Sequence, residues 1–203
     1  MKLSILIMAS VLCCTAVTNA DYDYIIEEGY TSLTLYDYET LLMIGGGHRF
    51  DFFDYSHATI EGTDPLIDEF TGGIWKLRQA DYSFLNFTGG EVHIFDIHAA
   101  SHAVFSGGRI DEIWSYQSAW ALDGQPPELV PDPHIEIVCL DWDWDDITNV
   151  LTGTWADLST FDIQLVDRVG YDPAIENISF TIVPEPATLL LIATGGLLLR
   201  RRS

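Results

Sequence analysis

The sequence predicts an all-β chain whose body is a short β-solenoid of about five coils, with a β-sandwich as the alternative. Three observations lead there. A glycine returns at Gly45, Gly62, Gly89, Gly107 and Gly124, evenly spaced except for one longer gap between Gly62 and Gly89. Apolar residues alternate in the segments before each glycine, as in strands with one buried face. Small or acidic residues stand six positions before it, where the chain would turn. A unit of this size cannot bury its own face, so neighbouring units stack and like positions form ladders. A sandwich gives no reason for columns at a near-constant period.

The elements follow in order. Residues 1–20, "MKLSILIMASVLCCTAVTNA", have Lys2, an apolar stretch from Leu3 to Val17, and small residues before the first acidic one, Asp21. This is the pattern of a secretory signal, with cleavage by signal peptidase expected after Ala20. Cleavage removes Cys13 and Cys14 and leaves Cys139 alone, so no intrachain disulfide is expected.

Residues 21–124 carry the repeat. Its first column is Glu39, Ser56, Ser83, Ser101 and Ser118, followed two positions on by Leu41, Ala58, Leu85, Ala103 and Trp120. Two further on stand Met43, Ile60, Phe87, Phe105 and Leu122. The longer gap, Gly62 to Gly89, holds "TDPLIDEFT", an inserted loop. A second strand per unit places Leu33, Phe50, Leu77 and Phe95 in a column that fails at Glu112. Another column, Leu35, Phe52, Ile97 and Trp114, is broken by Gln79. "QPPELVPDP" (125–133) reads as a boundary. In the remainder of 125–182, alternation predicts three or four strands, with a hairpin around Asp157-Leu158-Ser159. These would cap the open end of the coils.

Residues 183–203, "VPEPATLLLIATGGLLLRRRS", place Val183-Pro184-Glu185-Pro186 before an uncharged run, Ala187–Leu199, and then Arg200, Arg201 and Arg202. The run predicts a C-terminal transmembrane helix, held by the arginines as a membrane stop on the cytoplasmic side. These three parts in this order resemble the PEP-CTERM sorting signal of bacterial surface proteins. The resemblance covers only the chain's final segment. It implies an exosortase-type membrane peptidase as partner, cutting near the Pro-Glu-Pro and passing the body to the cell surface or extracellular matrix. A looser resemblance links the body to solenoid-type PEP-CTERM proteins of planctomycete-like bacteria.

Charge excludes one class of partner. The body, 21–186, holds five basic residues against all 31 acidic ones, a net −26. It repels phosphate backbones, so no nucleic acid is expected. The acidic stretch "DWDWDD" offers Asp141, Asp143, Asp145 and Asp146 as weak calcium candidates; it has no EF-hand spacing, and no other cofactor or metal is expected. Asp37, Asp54 and Asp81 read as corner residues. His93, His98 and His102 show no convergence, although His57 and His102 share a column with Phe84 between them. A carbohydrate-active site would draw its carboxylates from Asp51, Asp54, Asp81 or Asp96 and its arginine from Arg49, Arg78 or Arg109. If exposed, Trp75, Trp142, Trp144 and Trp155 would stack on extracellular polysaccharide; the favoured reading is that they fill core or cap. The function expected is a non-enzymatic, exported surface protein, structural or adhesive in an envelope or exopolysaccharide matrix. The alternatives are a carbohydrate-active enzyme and a calcium- or carbohydrate-binding module.

Overall fold

A computed structural model of the chain describes residues 22–67, 72–116, 131–166 and 174–184. Over these residues the protein is all-β, with one large mixed sheet of fourteen strands. The strands β1 (Tyr24–Ile26), β3 (Thr40–Met43), β5 (His57–Ile60), β7 (Phe84–Phe87) and β9 (His102–Phe105) pair in parallel as one ladder. A second parallel ladder holds β2 (Tyr30–Leu35), β4 (Gly47–Phe52), β6 (Ile74–Gln79), β8 (Glu91–His98) and β10 (Arg109–Tyr116). Parallel neighbours need a crossover between them. Here each ladder's strands serve as the other's crossovers, so the chain alternates between the two.

The inward columns are those of the repeat. Leu41, Ala58, Leu85 and Ala103 are paired rung to rung, as are Met43, Ile60, Phe87 and Phe105, and all are buried. On the other ladder Leu33, Phe50, Leu77 and Phe95 stand in register. Phe105 meets Phe95 and Phe87 edge-on at 4.9 and 5.6 Å between ring centres. Such pairing adds to the burial of each ring. The glycine column has a physical cause as well. A Cβ on Gly107 would stand 2.5 Å from the Thr88 carbonyl oxygen of the coil before. The second residue of each corner, as in Gly90 and Gly108, takes a positive φ of 97° and 81°, which favours glycine.

Three expectations are corrected. The column said to fail at Glu112 continues through Ile113, paired with Phe95, and the next one continues through Ser115, paired with Ile97. The step from Phe95 to Ile113 equals the step from Leu77 to Phe95, so Glu112 and Trp114 are turned outward. Gln79 does not break its column: it is fully buried, and its amide donates to the Ser83 and His102 carbonyls, both at 2.8 Å. Finally, the rung beyond β9 is not the segment 116–124. It is the start of β11 (His134–Asp145), with Ile135 against Ala103 and Ile137 against Phe105. Ser118, Trp120, Leu122 and Gly124 lie outside the described residues.

The end of the body joins both ladders. From Cys139 onward, β11 pairs antiparallel with β12 (Val150–Trp155), which turns at Leu158 into β13 (Thr160–Leu165). β13 then lies parallel to β10, and β14 (Ile178–Ile182) lies parallel to β11. The expected hairpin is therefore present, and these strands carry the sheet across from one ladder to the other. Fully buried Trp155 ties them to a corner, its indole N–H donating to the Gly108 carbonyl at 2.9 Å. Trp155→Phe keeps an aromatic ring and deletes this bond. It should lower the unfolding free energy by about 1–2 kcal/mol in a urea titration.

The expected transmembrane helix is overturned. No helix among the described residues is long and apolar enough to cross a membrane; the one helical element described there is the four-residue 3-10 turn Ala174–Asn177. The run Ala187–Leu199, to which the helix was assigned, lies outside the described residues. So do Ala20, Glu185, Pro186 and Arg200 to Arg202.

Candidate functional site

The two ladders present outer faces of opposite character. The strands β4, β6, β8 and β10 place Arg49, Asp51, Lys76, Arg78, Asp96 and Glu112 on adjacent outward columns, because they flank the inward Phe50, Leu77, Phe95 and Ile113. Asp51, Arg78, Asp96 and Trp114 share one column; Arg49, Lys76, Ile94 and Glu112 share the next. This alternation brings opposite charges onto neighbouring rungs.

Asp96 is the centre of the charged face. It is only 2% exposed, yet it faces three cations or potential cations. Lys76 Nζ lies 2.6 Å from Oδ2, Arg78 Nε lies 3.5 Å from Oδ2, and His98 Nε2 lies 2.7 Å from Oδ1. Burial pushes the Asp96 pKa up, but the bonds and charges of His98 and Lys76 outweigh it, and the carboxyl ends below the ordinary range. Arg49 Nε holds Asp51 at 3.1 Å, and Arg78 reaches toward it at 3.9 Å. Lys76 also lies 5.1 Å from the centre of the Trp114 ring, whose N–H donates to Glu112 at 2.7 Å.

Thus Asp51, Asp96, Arg49 and Arg78, named from the sequence as carbohydrate-site candidates, are brought together. Asp54, Asp81 and Arg109 are not. Asp54 and Asp81 sit at corners with positive φ, and each accepts the backbone N–H of the preceding corner aspartate, Asp37 or Asp54, at 3.3 Å. Arg109 pairs with Asp111 at 2.9 Å, near His93. Sequence reasoning passed over Lys76, set His98 among histidines without convergence, and placed Trp114 in an inward column. The signal for Lys76 was its place immediately before Leu77, matching Arg49 before Phe50.

The opposite face is formed by β3, β5, β7 and β9, which contain no Asp, Glu, Lys or Arg at all. Its outward positions are Thr40, Leu42, His57, Thr59, Phe84, Asn86, His102 and Val104. Beside them, Tyr38, Tyr55 and Tyr82 stack at 5.3 Å between ring centres and within 11° of parallel. His57, Phe84, His102 and His134 form a second aromatic column, at 5.6, 5.4 and 5.0 Å. His134 extends the column that the sequence placed through His57 and His102.

His102 sits under this column's load. Burial lowers its pKa, the neighbouring His134 lowers it further, and Glu136 opposes them. A histidine whose folded pKa is depressed binds more protons unfolded, so its stabilisation is complete above about 6.5 and is lost as pH falls below that value. The melting temperature should therefore decline between pH 7.5 and 5. His102→Phe, which continues the ring of Phe84, should flatten that decline.

The tryptophans do not form a stacking platform. Trp155 is buried, Trp75 and Trp144 are half-buried, and exposed Trp142 lies flat on Phe180 at 3.8 Å, which takes one of its faces. Nor do the calcium candidates converge. Asp141, Asp143 and Asp145 are exposed along one strand, Asp146 follows in the turn, and Asp145 is engaged by the N–H groups of Ile147 and Thr148. Among the described residues no group of three or more His, Cys, Asp or Glu side chains could hold a metal ion.

No family model, curated protein or solved structure matches this chain.

Proposed function

We propose that the chain is an exported surface protein whose acidic body is a β-solenoid serving a structural or adhesive role in an envelope or polysaccharide matrix. Two parallel ladders that advance together, rung by rung and at nearly the glycine period, support the solenoid reading, since a sandwich is built from antiparallel sheets. The observation that carries the sorting reading lies at the end of the body. The Val183 N–H donates to the Cys139 carbonyl at 2.9 Å, the last backbone bond of the body described, and Pro184 is exposed. Processing at the Pro-Glu-Pro would therefore fall after the last described bond of the body, in a motif whose two prolines favour extended backbone.

The test is intact-mass measurement of the protein recovered from the surface fraction of a host with an exosortase-type peptidase. The proposal expects a polypeptide that begins at Asp21 and ends near Val183–Pro186. Replacement of Pro184, Glu185 and Pro186 by alanine should leave a longer product. An uncleaved, full-length chain in the cytosol would overturn the proposal.

A second reading, a carbohydrate-active site over Asp96, is favoured by the gathering of Asp51, Asp96 and Arg78. It is the weaker reading because Lys76, Arg78 and Arg49 each already face a carboxylate of the cluster. Release of reducing ends or unsaturated products from a polysaccharide panel would establish it in place of the first.

A further inference from the structure

We propose that the contact between His102 and His134 is an acid-sensitive latch, which holds the start of β11 on β9 at neutral pH and releases it when both rings take up protons. The seam it guards is narrow. β11 meets β9 at four register positions, His134 to Ile137 against His102 to Phe105, and there the end strands join the first ladder. β14 is carried on the other side of the same stretch, along Ile135 to Cys139. At the entrance of the seam the two imidazoles lie 5.0 Å apart between ring centres, tilted by 55°. His102 Nε2 is buried without a hydrogen-bond partner among the described residues, whereas His134 Nε2 stands 3.1 Å from Ser179 Oγ on β14. A proton arriving on His102 Nε2 therefore finds no acceptor, and one on His134 adds a second positive charge beside it. Both effects oppose protonation of the closed seam, and water and separation remove both once it opens.

Few other ionisable groups face the pair. Glu136 is the one carboxylate on the paired stretch of β11, and the Thr181 hydroxyl donates to it at 2.6 Å. Asp132 precedes β11 and is exposed. β7 and β14 carry no charged or titratable side chain, and His57 on β5 lies beyond Phe84. Glu136 draws a proton toward His102, but burial and His134 outweigh it, and the His102 pKa falls below its ordinary value. On opening, His102 regains that value, near 6.5. The open state then binds more protons. Closure is thus at full strength above about 6.5 and weakens as pH falls below it, by at most about tenfold per pH unit for one proton. Release uncovers the edge of β9, whose unpaired N–H and C=O groups are a template for another strand.

The experiment is amide hydrogen exchange of the full chain, read by mass spectrometry at pH 7.5 and at pH 5, with rates corrected for the intrinsic pH dependence of exchange. Both values lie above the ordinary carboxylate range. Protection over 134–139 and 178–182 should fall by about tenfold at the lower pH, while β3 and β6 keep theirs. His102→Phe should abolish the difference between the two pH values, and His134→Gln, which keeps a polar group toward Ser179, should reduce it. A contact that is only structural would lower protection in these variants equally at both. The proposal is overturned if wild-type protection at the seam is the same at both pH values, or if the acid loss persists undiminished in either variant. It is equally overturned if every rung loses protection together, because acid then unfolds the body and opens no seam.

Discussion

Gly108→Val is expected to destabilise the body severely. Gly108 has φ of 81°, and a Cβ there would stand 2.6 Å from Cε1 of Phe87 and 2.7 Å from the Gly90 carbonyl oxygen. A side chain on left-handed backbone costs about 1–2 kcal/mol, and overpacking costs about 1–3 kcal/mol more. Neither neighbour can yield. Phe87 is a fully buried rung of the core, and the Gly90 carbonyl accepts the Arg109 N–H at 2.8 Å. The same corner receives the Trp155 indole, so the damage spreads into the end strands. Together these effects reach about 2–5 kcal/mol, against the roughly 5–15 kcal/mol that holds a domain folded. Circular dichroism should show a melting temperature lowered by about 10 °C or more, or no cooperative transition. A variant that melts like wild type would mean the corner is not built as described.

Asp96→Ala is the second large effect, and its cause is electrostatic. Removing one member of a buried pair strands the other, at a cost of about 3–5 kcal/mol. Here Lys76, itself little exposed, and His98 would lose the carboxylate they share. The double variant Asp96→Leu/Lys76→Met should recover most of the loss, since a packed apolar pair needs no counter-charge. The pH dependence has a definite sign. Because the folded pKa of Asp96 lies below its ordinary value, its contribution is complete above that value and disappears only as pH falls through the lower, folded one. Wild type and Asp96→Ala should thus converge in stability in strong acid and diverge from weakly acidic pH upward. Equal unfolding free energies at pH 7 would show that the cluster contributes nothing to the fold.

The inward columns were legible because each is a single position repeated along one chain. Leu41 to Ala103 and Met43 to Phe105 needed only the glycine period to be found. Two kinds of feature were harder. The rung at Ile113 repeats the step from Leu77 to Phe95, which counting back from Gly124 misses by one, and the passage to Ile135 departs from the period altogether. The Asp96 cluster is the other kind. Lys76, Arg78 and Asp96 meet only when outward columns are read sideways across rungs, and a column flanking an apolar one looks like ordinary solvated surface until its partners are placed. Gln79 shows the same limit. Its polarity marked it as a break, whereas the carbonyls of Ser83 and His102 make it a fitting core residue.

The register across the inserted loop is the point on which the ladders stand, since Thr59 and Asn86 are neighbours on adjacent rungs although the whole loop separates them along the chain. Parallel neighbours about 4.8 Å apart lie within disulfide reach. With Cys13, Cys14 and Cys139 replaced by serine, the Thr59→Cys/Asn86→Cys variant should cross-link under mild oxidation in the folded monomer, while Thr59→Cys/Val104→Cys, two rungs apart, should not. Failure of the first pair to close, or closure of both pairs alike, would contradict the stacked architecture.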